Sequence, residues 1–188
     1  MGNGVIVGVS DHNGWAVLVT VARDGTLYDR RRLTLVDESL PTMPHHHDAQ
    51  GLPLAQALEL VERVRLSAER HAKVALAAVA EIVPGIQGIA LRQCPQLPPT
   101  VAERLADYRA QNVADTVMYR QALAGAAVER GWAVHWYDPR RVIQSAGDAL
   151  HVDFEAHFLH MRSRMGAPWG QDQKLAMAAA IVAAQAVR

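Results

Sequence analysis

The first thirty-six residues constrain the fold most. Residues 5–10 form an apolar run, and Asp11-His12-Asn13-Gly14 then turns the chain. Residues 15–22 form a second β-rich run, Asp24-Gly25 turns it again, and residues 27–36 return as a third. Asn-Gly and Asp-Gly supply the positive φ angles of two-residue hairpin turns, so each pair between β-rich runs signals a hairpin. The chain therefore opens as a three-stranded meander with an acid, Asp11, at the end of its first strand.

Alternating helix and strand follow. Residues 39–53 are a connection rich in Pro, His and Gly. Residues 54–70 repeat apolar positions (Leu54, Leu58, Val61, Ala68) at helical spacing, with Glu59, Glu62, Arg63 and Arg65 on the other face. The run 74–80, which ends at Glu81, reads as a buried parallel strand, because the polar face stops at Lys73. The rival fourth strand is 86–91, and both stretches can be strands. Residues 94–100 carry three prolines and form a loop. Thr100 with Glu103 makes a capping box that opens a helical stretch over 101–129, broken near Asn112 and stopped by Gly131. Residues 132–137 are β-rich, a short helix runs from Asp138-Pro139 to Gln144, and helices follow over 151–165 and 172–186. An antiparallel meander extended by parallel strands, with helices on both faces, satisfies the crossover and layering rules. The expected architecture is one α/β domain over 1–188 with a mixed five-stranded sheet.

Composition excludes several classes. Nineteen basic and nineteen acidic residues cancel, so no global basic field marks a duplex-DNA binder, and nucleic-acid contact would rest on local patches. The single Cys94 forms no internal disulfide. No secretory signal is visible at the N-terminus, and no apolar run reaches the ~20 residues of a membrane span, which makes the cytoplasm the expected compartment. There is no Walker-type phosphate loop, nucleophile elbow or Rossmann fingerprint.

The pattern resembles the ribonuclease H-like superfamily, and within it the RuvC-type Holliday-junction resolvases. Val5-Ile6-Val7-Gly8-Val9-Ser10-Asp11 is similar to the first strand and its Gly-Ile-Asp ending. Residues 119–131, 134–137 and 139–142 resemble the long helix, the next strand and a Pro-x-x-Val-Lys start. Gln171-Asp172 with Leu175-Ala176-Met177-Ala178 is similar to the closing His-Asp-x-x-Asp-Ala-Leu-Ala helix. The resemblance implies phosphodiester cleavage by two metal ions, Mg²⁺ or Mn²⁺, held by carboxylates from the first strand, the end of the fourth strand and the last helix. It assigns those roles, catalytic and metal-binding alike, to Asp11, Glu81 and Asp172. Acidic oxygens suit a hard cation, and two such ions can activate water and stabilise the leaving oxygen. Three departures stand out. If 86–91 is the fourth strand, its end offers Arg92 and Gln93 rather than an acid. Ser10 takes the place of the family's first aspartate, one residue before Asp11, and a one-residue shift along a strand turns a side chain to the opposite face. Leu175 stands where the family has a second aspartate in the last helix.

The alternative function is a catalytically silent interaction or scaffold module. It would be a homodimer built on the Ala-rich last helix and the face from Ala122 to Val128. Actin-like kinases share the fold but need two domains. His45-His46-His47-Asp48 reads as a solvated loop, with a ligand or proton-shuttle role as its functional reading. His157 and His160 share a helix face but lack partners for a tetrahedral metal site. Arg30-Arg31-Arg32 is not one patch, because Arg31 faces away from its neighbours, and Arg140-Arg141, with Arg162 and Arg164, are the other basic groupings. The tryptophans are expected as core or rim, since a stacking platform needs two of them exposed in one groove.

Overall fold

The computed structural model describes residues 4–186. Its five strands are β1 (Val5–His12), β2 (Trp15–Val21), β3 (Leu27–Thr34), β4 (Ile86–Arg92) and β5 (Ala133–Tyr137). Six α-helices accompany them: α1 (Leu54–Ile82), α2 (Val101–Ala106), α3 (Tyr108–Glu129), α4 (Val142–Leu150), α5 (Phe154–Met165) and α6 (Gln171–Ala186). The strand order is β3-β2-β1-β4-β5. The meander pairs antiparallel, and β4 and β5 add to β1 in parallel. This is the mixed sheet that the sequence implies.

The central strand β1 is buried on both faces, which explains the apolar run over residues 5–9. Its odd residues Val7 and Val9 join a core with Leu18, Ile89 and Leu91 under α1 and α3. Its even residue Ile6 joins a second core with Val17, Val19 and Ala90 under α4, α5 and α6. Gly8 lets α6 lie directly on the strand: a Cβ there would stand 1.8 Å from the Ala176 carbonyl oxygen. Side-chain parity on β1 therefore decides which helical layer a residue meets.

The fourth strand is Ile86–Arg92, and residues 74–80 belong to α1. The buried stripe Val61, Val64, Ala68, Ala72, Leu76, Val79 advances by three or four residues without a break, and alanines favour its continuation as helix. The polar face does end, but what replaces it is exposed apolar surface, with Val74 and Ile82 facing solvent. The 101–129 stretch breaks at Asp107 rather than at Asn112. Asp107 accepts hydrogen bonds from the Arg109 and Ala110 amides (2.8 and 3.3 Å) and caps α3, while the Thr100–Glu103 capping box opens α2. The break expected between residues 144 and 151 falls later, at His151 (φ 57°), and Asp153 caps α5.

Much of the two faces that the sequence offers for a homodimer is buried within the fold, although Val128 is exposed. Ala176 and Ala180 of α6 lie directly on the sheet at Gly8, Ala179 and Ala183 are buried beside it, and Ala122, Leu123, Ala126 and Ala127 of α3 lie in the opposite core. Among the described residues no helix is long and apolar enough to cross a membrane.

Candidate active site

The carboxyl ends of β1 and β4 meet the N-terminus of α6 on one face of the sheet. Ser10 and His12, both even, point to that face. The Ser10 hydroxyl donates to Asp172 Oδ1 at 2.8 Å, and His12 Nε2 lies 2.8 Å from the same oxygen. Burial pushes the Asp172 carboxyl up, but the hydrogen bonds from His12 and Ser10 outweigh it. With nearby Arg92 adding a favourable charge, the carboxyl sits below its ordinary value. Arg92 ends β4, and its Nε is buried without a partner. Tyr137 closes the floor: its hydroxyl donates to the Val9 carbonyl at 2.8 Å, and burial pushes the phenol up.

The three acids expected to converge do not. Asp11 is odd in β1 and turns to the α3 side, where its Oδ2 accepts from Arg120 Nε at 2.7 Å. Both side chains of that pair are buried, at 0% and 6% exposure. Arg120 Nη1 also donates to the Gln93 carbonyl (3.2 Å). Asp11 is thus separated from Asp172 by the sheet itself. Glu81 lies one residue before the end of α1 and is exposed, so it is a solvated helix residue rather than a strand-end carboxylate. The strand end it was meant to occupy carries Arg92. Only Asp172 of the three stands at the site, and the groups around it are Ser10, His12 and Arg92.

Among the described residues no group of three or more His, Cys, Asp and Glu side chains could hold a metal ion. A divalent ion asks for several oxygen ligands, whereas this cluster offers one carboxylate already bonded to a hydroxyl and an imidazole, with a guanidinium beside it. The donor set does not fit a two-metal centre.

A groove of about 460 Å³ runs from Asp172 along β2 and β3. Trp15 is sandwiched there, with the His12 ring stacked on it (3.8 Å between centroids, 5° apart) and the Arg32 guanidinium 3.8 Å from its centroid on the β3 side. Trp169 is buried and stacks on Phe158. Neither indole offers an open face, so the groove is no base-stacking platform. Arg30 is spent on main-chain carbonyls, donating to Gly166, Pro168 and Met165 (3.0, 2.8 and 2.8 Å). Arg31 faces the other side and pairs with Asp29 at 2.6 Å. Among the described residues, Arg32 and Arg92 make no ion pair.

The histidine run is not a solvated loop throughout. His45 is 1% exposed inside a single π-helical turn, Pro44–Asp48. Asp115 Oδ1 takes the His45 amide (3.0 Å) and Nδ1 (2.8 Å), and its Oδ2 takes the His46 amide (3.1 Å). The cluster ties the β3–α1 connection to α3. Burial pushes the Cys94 thiol up, away from thiolate character at neutral pH.

Sequence reasoning marked Ser10 and, at the end of the rival strand 86–91, Arg92 as departures from the family pattern, but it missed His12 and Arg120 as groups that set the site's chemistry. Strand parity was the available signal. If the first strand runs without a bulge, Ser10 and Asp11 must part to opposite faces.

No protein-family model matches the chain, and no curated protein matches it. Among solved structures the chain is similar to T. thermophilus RuvC in complex with Holliday junction substrate, with 21% identity over 97% of this chain and 94% of that one and a TM-score of 0.54. A Thermus thermophilus RuvC structure aligns at 16% identity over 95% of this chain and 92% of that one, with a TM-score of 0.49. The fold is ribonuclease H-like.

Proposed function

We propose that this protein is a catalytically silent ribonuclease H-like module that contacts nucleic-acid backbone phosphates without a metal ion. One observation carries the reading. The point where acids from β1, β4 and α6 would gather holds Ser10, Arg92 and Asp172, so a built-in cation stands where a bound one would be needed. Arg32 lines the groove and Arg92 stands near Asp172, both free of ion pairs among the described residues. The covered faces of Trp15 and Trp169 favour contact with phosphates over bases. Superposition on a junction-bound resolvase makes branched DNA the first ligand to try.

The test uses a labelled four-way junction, a duplex and a single strand, each with Mg²⁺, Mn²⁺ or EDTA. The expected result is binding that EDTA leaves unchanged, with no product on a denaturing gel. The double variant Arg32→Ala/Arg92→Ala should reduce the slope of log affinity against log salt by about one to two, the loss of one or two phosphate contacts. Metal-dependent cleavage that Asp172→Asn abolishes would overturn this reading and establish a metal-dependent phosphodiester hydrolase in its place.

A further inference from the structure

A second cavity, of about 570 Å³, lies on the α6 side of the sheet at its β5 edge, away from Ser10 and Asp172. Its floor is Ala90 and His135, paired in the β4–β5 register, with Tyr137 beside them. Val142 and Ser145 of α4 form one wall; Ala179, Val182 and Ala183 of α6 form the other. The cavity exists because α6 presents alanine at 179, 183 and 186, a face with no atom beyond Cβ. Nearer its N-terminus the helix closes on β1 over Gly8, but over β4 and β5 the same short side chains leave a gap. Its size falls in the range of small-molecule sites, about 300–1,000 Å³, and its lining follows their pattern of apolar walls with a few converging polar groups.

Three polar groups define what would fit. Arg141 stands at the mouth, exposed and in no ion pair among the described residues. Ser145 lies one turn further along α4 on the same wall. In the floor, His135 Nε2 is buried without a partner, and desolvation lowers the pKa of the ring, which favours its neutral form. The acid at the mouth, Asp138, is engaged with the chain's own turn, accepting from the Arg140 amide at 2.9 Å. The Arg141 guanidinium is thus the cationic donor left for a ligand, and the surface behind it is apolar.

We propose that this cavity binds a small molecule with a flat apolar body and a single anionic group. The body would lie over Ala90 between α4 and α6, and the anion would be held by Arg141 and Ser145. This site is independent of the phosphate-contacting groove.

The probe is 1-anilinonaphthalene-8-sulfonate, titrated into the full chain by fluorescence and calorimetry. The expected result is one molecule bound per chain. Binding should weaken about tenfold in Arg141→Gln, the scale of one charge-assisted hydrogen bond. It should weaken comparably for the uncharged N-phenyl-1-naphthylamine, and it should be lost in Val182→Trp, which fills the slot. Arg32→Ala should leave it unchanged. Ser145→Phe fills the cavity from the opposite wall and decides the matter if Val182→Trp fails to give a wild-type melting curve. Binding that survives both filled variants, that ignores Arg141→Gln, or that shows several equivalent sites would overturn the proposal.

Discussion

Asp11 separates a structural reading of this domain from a catalytic one, and its replacement by alanine distinguishes them. Its carboxylate is fully buried against Arg120, whose side chain is 6% exposed. Removing one partner of such a pair leaves an uncompensated buried charge, at a cost of about 3–5 kcal/mol. With a urea dependence of about 2 kcal/mol/M for a domain of this size, Asp11→Ala should lower the unfolding midpoint by about 1.5–2.5 M. The paired replacement Asp11→Leu/Arg120→Met removes both charges together and fills the space with apolar atoms. It should recover most of that loss, to within about 1 kcal/mol of the wild type. Equilibrium urea unfolding followed by circular dichroism on Asp11→Leu, Arg120→Met and the double variant gives the coupling energy. A metal-ligand role predicts the opposite. Without metal, Asp11→Ala would be neutral or stabilising, because it relieves repulsion, and its cost would appear only in Mn²⁺ affinity. A midpoint shift under about 0.5 M, or additive effects at the two positions, would refute the assignment of Asp11 to an ion pair.

Three further outcomes follow from the packing. Gly8→Ala should cost more than the roughly 1–3 kcal/mol of ordinary overpacking, because the new Cβ meets a backbone carbonyl at 1.8 Å and α6 must move as a unit. A melting temperature lowered by less than about 3 °C would contradict that. Asp37 accepts hydrogen bonds from His71 (3.0 Å), Arg70 and Ser67 (2.8 Å), which hold its carboxyl well below the usual range. Its folded pKa is depressed, so its stabilisation is present above the unfolded value near 4 and fades as pH falls below it. Asp37→Asn should therefore flatten the acid limb of the stability–pH curve below about pH 4, and an unchanged limb in urea midpoints would refute the linkage. Asp115→Ala should cost about 2–4 kcal/mol by orphaning three donors, and should raise amide hydrogen exchange over residues 43–50 selectively. Uniform protection there would sink the tether.

Much of the architecture was legible because it rests on local rules. Asn13-Gly14 and Asp24-Gly25 mark their hairpins, and both glycines adopt positive φ (80° and 84°). The Thr100–Glu103 box caps α2 through contacts three residues apart. The misplaced fourth strand shows the limit of that reading. Residues 74–80 are apolar both where they face the core and where they face solvent, so periodicity there distinguishes helix from strand poorly. The histidine run was misread for a related reason: its partner Asp115 lies seventy residues away, and nothing local announces it.

The chain's residues on their own determine a meander followed by parallel strands and enclosing helices, since turn chemistry and hydrophobic period act between near neighbours. Which acids share a pocket is a tertiary decision. Asp11 and Ser10 are adjacent in the chain, yet the pleat of β1 sends one to Arg120 and the other to Asp172, and an entire sheet comes to lie between them. Arg92 acquires its meaning only when β4 pairs with β1 and carries a fixed cation to the mouth of α6. Long-range placement, rather than the count of carboxylates, sets the charge at this site.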